Sequence, residues 1–235
     1  MIQFYSPDIA QTLRLPESDS KHCIRVLRMH CGDIVRVVDG LGHRYECRIV
    51  DDNPHSVAIE ILSCEDVRPV WSFNLTVMVA PTKNMDRMEW LVEKLVEVGV
   101  NRIVPVRCRF SERKEIKRER LEKIAVSAMK QSLKATLPEI TEMMPLRQAI
   151  ESFGASQKFV GYCDDGTERE LLARCYTPDS DVIVLIGPEG DFSADEIDMV
   201  RRDCYVPVTM GDNRLRTETA ALVAAATCHV ISQRG

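Results

Sequence analysis

Residues 182–196 read VIVLIGPEGDFSADE, and this stretch decides the fold. Val182 to Ile186 form an unbroken aliphatic run of strand length, as in a parallel strand covered on both faces. The run ends at Gly187-Pro188-Glu189-Gly190, where two glycines admit torsions closed to other residues and Pro188 stiffens the turn. Ser193 followed by Glu196 has capping-box spacing, so a helix is expected over 193–202. Buried strand, tight turn and helix in this order make one βα repeat. In open α/β sheets ligands settle beyond the carboxyl ends of the strands, which makes the 187–191 turn a candidate site by position. It has neither GxxxxGK[ST] nor a full GxGxxG, so polyphosphate and dinucleotide ligands are disfavoured.

The same texture extends outward. Strands are predicted at 75–80, 103–106, 158–162 and 206–210, and helices at 84–98, 118–133 and 217–231. In the first helix Met85, Met88, Leu91, Leu95 and Val98 recur at helical spacing, a stripe that reads as core, and Gly99 sits where a left-handed cap is expected. Alternation of this kind indicates an α/β open sheet flanked by helices over 74–235. Residues 1–70 differ. Three β-branched runs, 35–39, 45–50 and 57–62, are separated by Gly40-Leu41-Gly42 and Asp51-Asp52-Asn53-Pro54, with a helix at about 18–28 turning Cys23, Ile24 and Leu27 inward. This pattern predicts a small β-barrel domain. Val67-Arg68-Pro69-Val70 reads as the linker.

The 235 residues carry a net charge of −5, which argues against nucleic acid until its distribution is considered. Residues 71–134 hold an excess of six positive charges, concentrated at Arg107, Arg109, Arg113, Lys114, Lys117, Arg118, Arg120 and Lys123. Screening over about 8 Å lets such a patch act locally on an acidic protein. Glu112, Glu115, Glu119 and Glu122 interleave with it, so the segment also reads as an ordinary solvated helix. Nine scattered cysteines without a CxxC, and five dispersed histidines, point to free thiols in a reducing cytosol and to no metal site. The apolar runs are too short for a membrane span, and the first residues do not resemble a signal peptide, so a cytoplasmic protein is expected.

A second loop follows a strand at Met210-Gly211-Asp212-Asn213-Arg214-Leu215-Arg216-Thr217-Glu218-Thr219-Ala220. Thr217 is the expected N-cap of the last helix, and Glu218 in its first turn suits the helix dipole. Arg214 and Arg216 precede that helix, where basic side chains meet a phosphate or a carboxylate. Glu189 is either a structural acceptor for turn amides or a functional charge.

IGPEGDFS (186–193), MGDNRLRTETAALVAAA (210–226) and KNMDRMEWLVEKLVEVGV (83–100) closely resemble the RsmE family of bacterial 16S ribosomal RNA methyltransferases, members of the SPOUT class. HCIRVLRMHCGDIVRVVDGLGHRYECRI (22–49) resembles that family's PUA-like RNA-binding domain. The resemblance implies a C-terminal SPOUT-type trefoil knot and a PUA-like N-terminal barrel. It also implies S-adenosylmethionine as methyl donor and methylation of N3 of one uridine in the small ribosomal subunit. A homodimer through the knotted domain is implied as well. Carried over by motif, the donor is held by Leu185, Gly187, Glu189, Gly190, Met210, Gly211, Leu215, Arg216, Thr217 and Ala220, with an apolar wall of Leu185, Met210 and Leu215 for the adenine. Arg216 and Glu189 are the catalytic candidates. RNA contacts are expected from His22, Arg25, Arg28, Arg109, Arg113 and Lys134. The chain departs from the family pattern twice: GPEGD replaces GPEGG at Asp191, and Lys130-Gln131-Ser132-Leu133-Lys134 replaces an EQSGR-like stretch. Competing readings are a knotted methyltransferase acting on another RNA such as tRNA, or a binding factor for ribosome assembly that has lost the cofactor. A small-molecule α/β enzyme leaves the N-terminal β domain unexplained.

Overall fold

The computed structural model describes residues 2–67, 72–162 and 169–233. Its contacts divide the chain into two compact units, 1–69 with 126–137, and 70–125 with 138–235.

The first unit is built on β1 (Gln3–Tyr5), α1 (Ile9–Thr12), α2 (Glu17–Lys21), β2 (Ile34–Val38), β3 (His43–Asp51) and β4 (Ala58–Asp66). The strands form one sheet in the order β1-β2-β3-β4, with β1 parallel to β2 and the other pairs antiparallel. Phe4, Ile9, Cys23, Val35, Val37, Cys47, Ile49 and Ile59 close its core. Alternate residues of β3 supply Tyr45, Cys47 and Ile49 to that core, as period-two patterning requires. Burial pushes the Cys23 thiol up to about 11 and the Cys47 thiol up to about 12, so both behave as small apolar residues. The expected helix at 18–28 is α2 continued by a π-helical turn, His22–Val26, whose first two carbonyls accept Leu27 N–H (to His22 O) and Met29 N–H (to Cys23 O). The linker proposed at 67–70 lies, beyond Val67, outside the described residues.

Residues 126–137, read from sequence as part of the second domain, belong by their contacts to this first unit. Lys130 Nζ sits 2.6 Å from Asp19 Oδ1, and Gln3 Nε2 donates to Lys134 O at 2.7 Å. Gly42 N–H reaches Ala135 O and Leu137 N–H reaches Gly40 O. Just past the helix end, Leu133 takes φ +56°, a left-handed conformation that costs a non-glycine residue roughly 1 kcal/mol.

The second unit follows the expected alternation. In chain order it comprises β5 (Leu75–Val79), α3 (Met85–Val98), β6 (Arg102–Arg107), the first part of α4 (Arg118–Gln131), β7 (Glu139–Ile140), β8 (Met144–Pro145), α5 (Leu146–Ser152), β9 (Gln157–Gly161), β10 (Glu170–Leu171), α6 (Leu172–Cys175), β11 (Val182–Ile186), α7 (Ala194–Arg202), β12 (Val206–Thr209) and α8 (Thr217–Ser232). All described pairings are parallel, in the order β10-β12-β9-β11-β5-β6-β7, with β8 also on β6. β5 and β11 are buried at every position, which is why they read as continuous apolar runs. Asn84 caps α3 by accepting the Asp86 amide at 2.9 Å, and Gly99 at φ +100° ends it. Leu91 and Leu95 of that helix are fully buried, each worth about 1.5–3 kcal/mol. No helix among the described residues is long and apolar enough to cross a membrane.

Candidate functional site

Because β12, β9 and β11 are neighbours and run parallel, their carboxyl ends lie side by side, and the glycine loops after β11 and β12 share one edge of the sheet. Gly161 closes β9 between them. A Cβ there would sit 2.9 Å from Ile186 Cδ1 and 3.0 Å from Met210 Cε, so its absence lets the ends of all three strands close up. Thr217 ties the two loops together: its hydroxyl donates to Gly187 O at 3.1 Å. Thr217 is therefore not the N-cap expected from sequence. That position falls to Arg216, whose carbonyl accepts Ala220 N–H at 2.8 Å. The Thr217 hydroxyl is spent on the neighbouring loop instead.

Within the 187–193 loop, Asp191 N–H returns to Pro188 O at 2.9 Å, and Asp191 itself stands at φ +63°. Aspartate tolerates this region better than most side chains, and its Oδ1 accepts Phe192 N–H at 2.8 Å. The departure from GPEGG thus falls where the backbone demands glycine or a short polar residue. Phe192 lies under Gly187, and a Cβ on Gly187 would approach its ring to 2.8 Å. The capping box is present, with Glu196 Oε2 accepting Ser193 N–H at 2.9 Å. Its other oxygen takes the amide of Arg109 at 2.8 Å, which docks the turn after β6 onto α7. In the other loop Gly211, at φ +129°, has nothing within 4 Å of where a Cβ would be, and Thr209 Oγ1 bonds its amide and carbonyl.

Leu185 does not join the expected apolar wall. Its side chain is fully buried in the sheet core with Met78, Val104 and Val160, because β11 is covered on both faces. Met210 and Leu215 are partly exposed and can supply an apolar face.

The two acids of the motifs are linked by a residue the sequence reading did not single out. Arg87 of α3 lies 3.6 Å from Glu189 Oε1 and 3.7 Å from Glu218 Oε1. Glu189 also accepts the amide of Lys83 at 3.4 Å, so it is a structural acceptor, yet it remains on the surface. Glu218 is buried, and its Oε2 has no hydrogen-bond partner among the described residues. The signal for Arg87 was its place in the 83–100 motif. For Gly161 it was a glycine closing a predicted strand.

The RNA candidates divide between the units. Arg109 and Arg113 follow β6, where Arg113 Nη2 donates to Lys83 O at 2.7 Å. Arg118 and Arg120 of the basic run are instead paired with Glu122 and Glu89, as on a solvated helix. His22, Arg25 and Arg28 are exposed on the first unit, the first two within its π-helical turn, an irregularity common at functional positions. Arg28 stands at φ +57°, so this exposed arginine holds a strained backbone. Replacing it with glycine is expected to leave the melting temperature unchanged or slightly raised while RNA affinity falls; a fall in both would make Arg28 a structural residue. Lys134 lies in the 126–137 segment.

A parallel sheet whose carboxyl edge carries two glycine loops, an exposed arginine and a surface carboxylate is a candidate α/β enzyme site of the cofactor-binding kind. The RNA methyltransferase domain family matches residues 69–229, and the RNA methyltransferase PUA domain family matches residues 15–62. A probable rRNA-methyltransferase of Porphyromonas gingivalis superposes with a TM-score of 0.95 at 41% identity, over 100% of this chain and 99% of that one. The ribosomal RNA small subunit methyltransferase E of Neisseria gonorrhoeae, bound to S-adenosyl methionine, gives 0.85 at 26% identity over 98% of each chain. The protein of the same description from Rickettsia conorii is 25% identical over 86% of this chain and 82% of its own. The chain belongs to the RNA methyltransferase family, within the small-subunit type E group that its motifs resemble.

Proposed function

We propose that the chain transfers a methyl group from S-adenosylmethionine to N3 of one uridine in 16S ribosomal RNA, acting on the small subunit in the cytoplasm. The observation that carries this reading is the pair of glycine loops at adjacent strand ends, joined by the Thr217–Gly187 hydrogen bond. The residues fit the donor: Gly187, Gly190 and Gly211 bare backbone groups, and the space beside Gly211 is open. Met210 and Leu215 offer apolar surface, while Glu189, Arg216, Thr217 and Ala220 line the same edge and Leu185 contributes through its backbone. The bound donor supplies an electrophilic methyl group on a sulfonium.

Uracil N3 carries a proton at neutral pH, and the chain must help remove it as the methyl bond forms; such help is typically worth ~10²–10⁴-fold. In this reading Glu189, the surface acid, accepts that proton. Arg216 meets the negative charge developing on the uracil oxygens. Glu218 is closed off in the fold and serves the first turn of α8 and Arg87. The PUA-type unit holds the RNA through His22, Arg25, Arg28 and Lys134, and Arg109 and Arg113 hold it on the catalytic unit. A barrel-like closure of the first unit belongs to this reading. So does a trefoil knot, which the insertion of the late strand β12 between β9 and β10 supports. Trp90 of α3 and Val230 of α8 expose apolar surface on the catalytic unit suited to a homodimer.

The test is methyl transfer from labelled S-adenosylmethionine to unmodified small ribosomal subunits, with the product nucleoside identified. N3-methyluridine at one site is expected. Transfer to tRNA alone would move the substrate elsewhere, and RNA binding without donor binding would make the chain an assembly factor.

A further inference from the structure

The turn after β6 presents an aromatic side chain to solvent. Phe110 leaves 48% of its surface exposed, although it stands on a turn held by hydrogen bonds before and after it. Cys108 N–H donates to Ser111 Oγ at 3.0 Å, and Ser111 N–H returns to Cys108 O at 3.2 Å. Arg109 N–H is anchored on Glu196. The turn also rests on the methyl-donor loop, since a Cβ on Gly190 would lie 3.2 Å from Phe110 Cβ and 3.4 Å from its carbonyl oxygen. Gly190 thus lets the aromatic residue come down beside the loop while its ring stays in solvent.

We propose that Phe110 is a stacking platform for an unpaired base of the substrate RNA, held beside the methyl-donor loop. The inference rests on the RNA-methylation reading above and deepens it. A rigid ring with arginines on either side is the arrangement that receives single-stranded bases: the π-face takes the base and the cations take the backbone. Arg107 and Arg109 are exposed just before the ring. An open cavity of about 420 Å³ just after it is lined by Lys83, Glu112, Arg113, Lys114 and Glu115. Lys83 is paired there with Glu112 at 2.8 Å, which leaves Arg113 and Lys114 as the cations facing a phosphate. An aliphatic side chain at position 110 would offer no such face, and a buried phenylalanine could not be reached.

The experiment compares the full chain with Phe110→Ala and Phe110→Trp. For Phe110→Ala the KM for unmodified small subunits should rise about tenfold or more, the range expected from losing one stacked base. Donor affinity and melting temperature should not change. Phe110→Trp should restore KM, and its added fluorescence, measured against the two native tryptophans, should be quenched by the RNA. An unchanged KM in Phe110→Ala overturns the proposal, as does a joint fall of donor affinity and stability that tryptophan does not rescue. If the underlying reading fails instead, the wild-type chain transfers no methyl group. Quenching of the Phe110→Trp signal by a single-stranded RNA then still decides stacking.

Discussion

Gly187→Val abolishes methyl-donor binding, measured by calorimetry on the free protein, and lowers stability by about 1–3 kcal/mol, the usual cost of overpacking. The cause is local. The new Cβ would lie 2.8 Å from Phe192 Cε2, and that ring cannot swing away, being buried and packed edge-on against Tyr162 at 6.4 Å between centroids. The backbone must give instead. The Gly187 carbonyl then leaves the Thr217 hydroxyl, and the two loops that share the site separate. Gly187→Ala is the milder control, with a weaker effect in the same direction. Unchanged donor affinity in the valine variant would remove the pocket from this edge of the sheet.

Arg216→Ala should behave in the opposite way, with folding and donor affinity near wild type and kcat down about 10²–10³-fold, as when one donor to a developing oxyanion is deleted. Stability is spared because Arg216 holds the start of α8 through its carbonyl, not its side chain, which makes no capping hydrogen bond. Arg216→Lys should recover part of kcat, since it returns the charge without the planar fork. A rise in KM for RNA with kcat intact would assign Arg216 to RNA positioning in place of charge stabilisation.

The central strands were legible because burial on both faces leaves uninterrupted runs such as 182–186, and α3 was legible from its stripe and closing glycine. The short pieces were not: β1, β7, β8 and β10 have two or three residues each, fewer than a periodic pattern needs. The glycine loops were readable as a candidate site, but Arg87, Gly161 and Phe110 acquire meaning only through neighbours distant in sequence. Both departures from the family pattern proved instructive. Asp191 and Leu133 each replace a glycine, and each occupies a left-handed conformation, so the resemblance had marked a backbone requirement that survives the change of residue. Aspartate meets it with a local hydrogen bond, whereas leucine bears it at a cost.

The assignment of 126–137 to the first unit bears on how the chain is born. A ribosome extends a polypeptide at roughly 5–20 residues per second, so Asp19, Gln3 and Gly40 emerge several seconds before Lys130, Lys134 and Leu137, their partners, exist. All of β5, α3 and β6 is made in the interval. The N-terminal segment therefore cannot reach its final form as an autonomous first folding event, and a fragment cut near residue 69 would lack the segment that closes it.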